Sequence, residues 1–246
     1  MLILAFETSA KAASAALLEN GLLIAESYQN SGMTHSQTLL VMAQQLLGQC
    51  GKSPADVEAV AVAAGPGSFT GVRIGAAAAK GFAWGRDIPC YGVSTLEAMA
   101  AGFGADKGWI CPVMDARRNQ VYNARFQAGG GSLTRLCPDR AISIEELAGE
   151  LAERKKTQIL VGDGAVLCYN ELTKRGLPVE LAPPHLRLQS AWGVARGALE
   201  LARKDGLVTA AALAPVYHRL SQAERERLAK EKEMTMKNDK GEERHG

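Results

Sequence analysis

The order of apolar and polar positions cuts the chain into strand-length and helix-length pieces. Residues 1–7 form an unbroken apolar run closed by Glu7, as in a strand buried on both faces. Residues 12–19 and 21–28 are two more apolar runs that meet at Asn20-Gly21, a pair that tolerates positive φ and so predicts a tight hairpin. Together the three runs predict an antiparallel meander. From Thr34 to Cys50 the apolar positions recur at helical spacing. Val57–Ala63 then predicts a buried strand, Phe69–Trp84 a second helix, and Cys90–Val93 a short strand. Ser94-Thr95-Leu96-Glu97 has the reciprocal capping pattern that opens a third helix.

The second half begins in the same way. Trp109–Ala116 and Gln120–Ala128 predict strands joined at Arg117-Arg118-Asn119, and Leu133–Cys137 predicts a third after the turn Gly129-Gly130-Gly131-Ser132. Ser143-Ile144-Glu145-Glu146 opens a helix running to about Lys155. A buried strand follows at 159–162, then helices at 164–175 and at Ala191–Arg203. The β-β-β-α-β-α order thus occurs twice, without a repeat at the level of residues. The expectation is an α/β fold with mixed sheets in two lobes, 1–104 and 105–220, followed by a tail at 221–246. The last 25 residues carry 14 charges, seven of each sign, which reads as a solvated segment.

Composition narrows the chemistry. Hydrophobic residues are 47% and charged residues 22% of 246, a soluble globular balance, and the net charge is +2. So small a surplus argues against strong nucleic-acid binding by this chain alone, because that affinity grows with the number of phosphates neutralised. Five widely spaced cysteines fit a reduced, cytoplasmic protein. The apolar start is too short for a signal peptide, and no run approaches a membrane span. The four histidines, His35, His185, His218 and His245, offer no paired metal site on one helix. A metallopeptidase is therefore disfavoured.

Three features remain as candidates. Gly65-Pro66-Gly67-Ser68-Phe69-Thr70-Gly71-Val72-Arg73-Ile74-Gly75 joins a buried strand to a helix, where phosphate loops sit, yet it satisfies neither the Walker nor the dinucleotide pattern. Its structural reading gives Gly65 and Gly67 a tight turn, Ser68 or Thr70 the helix cap, and Gly71 and Gly75 a close approach to a neighbour. Glu7-Thr8-Ser9 could hold Mg²⁺ or face a phosphate, or could be ordinary turn chemistry. The third feature is a pair of charge-poor helices. The first turns Leu39, Leu40, Met42, Ala43, Leu46 and Leu47 towards a sheet and leaves Gln37, Val41, Gln44 and Gln45 opposite. The second carries only Arg73 and Lys80 as charges, with Ala77 and Trp84 beside them. Either these helices lie inside the molecule or they form an interface, where charge is depleted at the centre.

Ala5-Phe6-Glu7-Thr8-Ser9, Thr34-His35-Ser36-Gln37, the Gly65–Gly75 loop, Gly92-Val93-Ser94-Thr95-Leu96-Glu97, Asp115–Tyr122 and Pro215-Val216-Tyr217-His218-Arg219 occur in the order seen in the TsaB family, formerly YeaZ. The chain resembles that family over about residues 1–220, tightly in the Gly-Pro-Gly-Ser-Phe-Thr-Gly run and more loosely in the second half. The resemblance implies an actin/hexokinase/Hsp70-like, ribonuclease H-like fold of duplicated lobes. It implies a non-catalytic subunit of tRNA threonylcarbamoyladenosine biosynthesis, similar to the catalytic subunit TsaD without its metal-binding histidines. His35 alone stands where TsaD-like enzymes carry a histidine pair. Implied partners are a TsaD-like subunit, met through the first two helices, and a TsaE-like ATPase. A homodimer is expected when the chain is alone, and tRNA contact only through the complex. No cofactor is implied for this chain, ATP belonging to the larger assembly. Two departures stand out: Glu7 replaces the usual Asp, and His218 the usual Leu. The alternative is an ATP-binding kinase or ATPase of the same fold.

Overall fold

The computed structural model describes residues 1–103 and 107–218; the tail expected at 221–246 lies outside the described residues. The first sheet is built from β1 (Leu2–Glu7), β2 (Ala13–Glu19), β3 (Leu22–Gln29), β4 (Ala59–Gly65) and β5 (Cys90–Ser94). Its order is β3-β2-β1-β4-β5. β1 and β2 pair antiparallel from Leu2↔Glu19 to Glu7↔Ser14, while β4 runs parallel to β1 with Ile3 opposite Ala59. Asn20 and Gly21 take φ of 51° and 86°, the positive values that the hairpin needs.

The unbroken apolar run of β1 has a simple cause. Leu2, Leu4 and Phe6 point to one face of the sheet and Ile3 and Ala5 to the other, and both faces are covered. On the first face lie α1 (His35–Gln49) and α2 (Phe69–Trp84). Leu39, Met42, Ala43, Leu46 and Leu47 anchor α1 there, a spacing of i, i+3, i+4, i+7 and i+8. Leu40 does not join them. It falls one step off that stripe and is 53% exposed, contrary to the sheet-facing place expected for it.

The second sheet repeats the first. β6 (Lys107–Asp115), β7 (Gln120–Gly129), β8 (Ser132–Ser143), β9 (Gln158–Val161) and β10 (Val179–Leu181) stand in the order β10-β9-β6-β7-β8, the same first-to-fifth arrangement as in the other lobe. α4 (Ile144–Ala152) and α5 (Ala165–Lys174) cover one face. α3 (Thr95–Phe103) covers the other with Leu96, Met99 and Ala100. β8 runs past Pro138, where the sequence suggested an end at Cys137. A proline is tolerated because β8 is an edge strand and a register shift lies opposite it. β10, three residues long, gave no signal in the sequence, and α4 stops at Ala152 rather than near Lys155.

α6 (Ala191–Ala202) belongs to the 105–220 lobe by position and to the first lobe by packing. Its Ala191, Val194, Ala195 and Ala198 lie on Ile3, Ala5, Ala16, Ala59, Ala61 and Ala63, and so many alanines let helix and sheet sit close. The first sheet also caps it. Ser14 Oγ accepts from Ala191 N at 2.7 Å, and Glu26 Oε1 accepts from Trp192 N at 3.0 Å. α3 and α6 touch at Gly102 and Gly193, where a Cβ on Gly193 would meet the Ala98 carbonyl at 2.2 Å. The chain then returns along the first sheet. Val208 pairs with Cys90, Ala210 and Leu213 enter the core with α1 and α2, and Val216 N donates to Ala64 O at 2.7 Å. Residues Met1–Val216 therefore close on themselves as one unit.

Candidate functional site

Two regions gather the residues singled out in the sequence. The first is the turn after β1. Glu7 is 1% exposed; its Oε1 accepts from Ser9 N at 2.5 Å, and its Oε2 is buried without a partner. Burial pushes its carboxyl from an ordinary 4.5 up to about 7, and Asp163 nearby adds repulsion against the hydrogen bonds from Ser9. Thr8 Oγ1 donates to Gly71 O at 2.8 Å, and Ser68 N donates to Ser9 O at 2.6 Å.

The glycine loop explains itself at this turn. A Cβ on Gly67 would meet Ser9 O at 2.5 Å, one on Gly71 would meet Thr8 O at 2.0 Å, and one on Gly75 would meet Thr8 Oγ1 at 2.5 Å. The neighbour that these glycines approach is therefore the Glu7-Thr8-Ser9 turn itself. Gly65 takes φ +118° with the Val216 carbonyl over it, and Ser68 Oγ, not Thr70, accepts from Gly71 N as the helix cap. His35 Nε2 lies 2.7 Å from Ala10 O and so ties α1 to the same turn.

The second lobe carries a counterpart, of which the sequence marked the Asp115 turn but not the loop after β9. Asp115, at the end of β6, accepts from Arg117 N at 2.7 Å, the same two-residue clasp that Glu7 makes with Ser9. After β9, Gly162-Asp163-Gly164 repeats Gly65-Pro66-Gly67. Gly162 has φ +115°, and a Cβ on Gly164 would meet Asp115 N at 3.0 Å. Asp163 lies on that loop, its carboxyl raised chiefly by burial, and takes a hydrogen bond from Gln189 Nε2 at 2.9 Å. The signal that could have found it is the Gly-x-Gly after the fourth strand of each lobe. Among the described residues, no group of three or more His, Cys, Asp and Glu side chains is arranged to hold a metal ion.

The second region is the outer face of α1 and α2. Gln37, Val41, Gln44 and Gln45 are exposed on α1, and Arg73 and Ala77 on α2. Leu40, Val41 and Trp84 are 53%, 50% and 66% exposed beside them. Arg73 lies over the Phe69 ring at 3.8 Å from its centroid. Lys80 departs from this face. It is half-buried, and its Nζ donates to the carbonyls of Ala211 and Leu213 at 3.2 and 3.1 Å.

The capping pattern at Ser94 is only half made. Ser94 Oγ accepts from Glu97 N at 3.2 Å, but the Glu97 carboxylate turns to Arg135 Nη2 at 2.7 Å, and Ser94 donates to Asp139 at 2.5 Å. These groups fasten α3 to β8 instead. At Ser143 and Glu146 the reciprocal cap is complete.

Comparison with known proteins adds the following. A family profile described as TsaD, tRNA N6-adenosine threonylcarbamoyltransferase, matches residues 29–174. The tRNA threonylcarbamoyladenosine biosynthesis protein TsaB of Bacillus subtilis is 38% identical over 162 residues, which are 66% of this chain and 71% of that one. The protein of the same description from Escherichia coli is 42% identical over 129 residues, so the chain spans about half of that relative's length, 55%. Among solved structures, YeaZ from Pseudomonas aeruginosa superimposes with a TM-score of 0.75 at 28% identity, covering 88% of this chain and 99% of that one.

Proposed function

The chain belongs to the TsaB (YeaZ) family, and from that premise we propose that it serves tRNA threonylcarbamoyladenosine biosynthesis as a non-catalytic scaffold. It pairs through the outer faces of α1 and α2 with a TsaD-like catalytic subunit. That pair recruits a TsaE-like ATPase, and the assembly transfers the threonylcarbamoyl group to the tRNA adenosine next to the anticodon.

The observation that carries this reading is the composition of the exposed helix pair. Leu40, Val41 and Trp84 stand largely in solvent among Gln37, Gln44, Gln45 and Ala77, with Arg73 the one charge between them. Such a face gains free energy when covered, and its scarcity of charge with an aromatic beside it matches the makeup of protein interfaces. Lys80, held by the Ala211 and Leu213 carbonyls, supports the face from below rather than contributing to it. In the absence of the partner, a second copy covers the same patch around a two-fold axis.

The packing of Gly67, Gly71 and Gly75 onto the Thr8–Ser9 turn gives the glycine loop a structural reason of its own, so these glycines lend no support to the nucleotide-binding alternative. The test is co-purification with the TsaD-like subunit of the same organism. Ala77→Glu and Gln44→Glu each place a charge in the covered centre and weaken pairing by about 3 kcal/mol, a factor on the order of a hundred in Kd. Both variants keep the native circular dichroism spectrum. Unchanged co-elution of the two variants with the partner would refute the assignment of the face.

A further inference from the structure

A charged cluster lies apart from both regions, beneath the last turn of α4. β7 supplies Arg125, β8 supplies Arg140 and α4 supplies Glu150. Arg140 grips the carboxylate with both ends of its fork, Nη1 to Oε1 and Nη2 to Oε2, each at 2.7 Å. Its Nη2 also donates to Asn123 Oδ1 at 3.2 Å. Arg125 reaches the same carboxylate with Nη2 alone, 3.1 Å from Oε2. Arg125 is 6% exposed, and its Nε and Nη1, together with Arg140 Nε, are buried without a hydrogen-bond partner.

Two guanidiniums thus share one carboxylate. Glu146, the other carboxylate that acts on Arg140, is already engaged by Ser143, and Arg154 adds positive charge from outside. A buried donor left idle is costly, and a buried charge in surplus costs more. Such a cluster is worth keeping where something else takes the donors.

We propose that Arg125 and Arg140 form a binding site for a phosphate-like oxyanion, with Glu150 filling the site when the oxyanion is away. The planar forks suit an anion that offers several oxygens, which chloride does not. The side chains of Glu150 and Arg140 are 33% and 27% exposed, so they lie nearer solvent than that of Arg125, at 8%. Glu150 swings aside from the end of α4, the oxyanion takes the donors it vacates, and the idle N–H groups of Arg125 gain an acceptor.

Inorganic phosphate titrated onto the full chain by calorimetry, at constant ionic strength against chloride, tests this. Glu150→Gln removes the competing carboxylate and binds phosphate about tenfold tighter than the native chain. Arg125→Met abolishes the heat while the circular dichroism stays native. An anticodon stem-loop RNA added as competitor separates the two sources of the group: displacement of phosphate points to a phosphodiester, persistence to the free ion. Phosphate that fails to bind both the native chain and Glu150→Gln, or that still binds Arg125→Met, overturns the proposal.

Discussion

Glu7 shows how one buried side chain sets a pH dependence. Its carboxyl is raised from 4.5 to about 7, so folding disfavours its ionised form. The native fold therefore loses stability as pH climbs from about 4.5 to 7 and changes little from this source above that. Glu7→Gln keeps an acceptor for Ser9 N–H and removes the charge. It should match the native chain near pH 4 and exceed it at pH 8, by up to about 3 kcal/mol in chemical denaturation. Equal stability of the two at pH 8 would mean that Glu7 ionises freely. The glycines beside it allow a second measurement. Gly71→Ala drives a Cβ to 2.0 Å from the Thr8 carbonyl and should cost about 3 kcal/mol or more in thermal unfolding. Gly149→Ala, on the open side of α4 with nothing within 4 Å, should stabilise by about 1 kcal/mol. Glu7 and the loop glycines could be picked out of the sequence because each sits at a strand end beside turn residues. Asp163 was overlooked because its only local mark is the Gly-x-Gly around it, and its burial and its repulsion of Glu7 appear only in the folded chain.

At the level of elements, α6 shows where local patterning runs out. Its helical period was plain, but its partner was not, since the sheet that it covers lies more than 160 residues earlier at Ser14 and Glu26. Ser14→Ala leaves the buried Ala191 N–H without an acceptor and should cost about 1–3 kcal/mol in urea unfolding. A cost below a few tenths would mean that the cap is idle. The outer face of α1 and α2 was readable for the opposite reason: missing charge is a property of the residues themselves. Leu40 and Lys80 mark the edge of that readability. Leu40 belongs to the exposed side because of the phase of α1, and Lys80 leaves it because of carbonyls 131 and 133 residues away.

The whole molecule is two copies of one topology with an exchange at the end. The duplication could be read from the order of elements, and the identical strand order of the two sheets bears it out. The exchange could not, because nothing local tells α6 which sheet to cover. A fragment ending at residue 103 lacks Ala191, Val194, Ala195 and Ala198 on one face of its sheet and Ala210 and Leu213 on the other. It should show no cooperative melting transition by circular dichroism, and a separate peptide of residues 188–216 should restore one. A fragment that melts sharply alone would show that the first lobe is independent.

That exchange also bears on how the protein is made. On the ribosome the amino-terminal sheet emerges complete by Ser94, yet its alanine-lined side lacks α6 until Ala202 has left the exit tunnel. At ordinary elongation speeds that delay is on the order of ten seconds. During it the nascent chain holds Ala5, Ala16, Ala59, Ala61 and Ala63 with only Ala98 of α3 beside them, and this interval is where a chaperone would be needed.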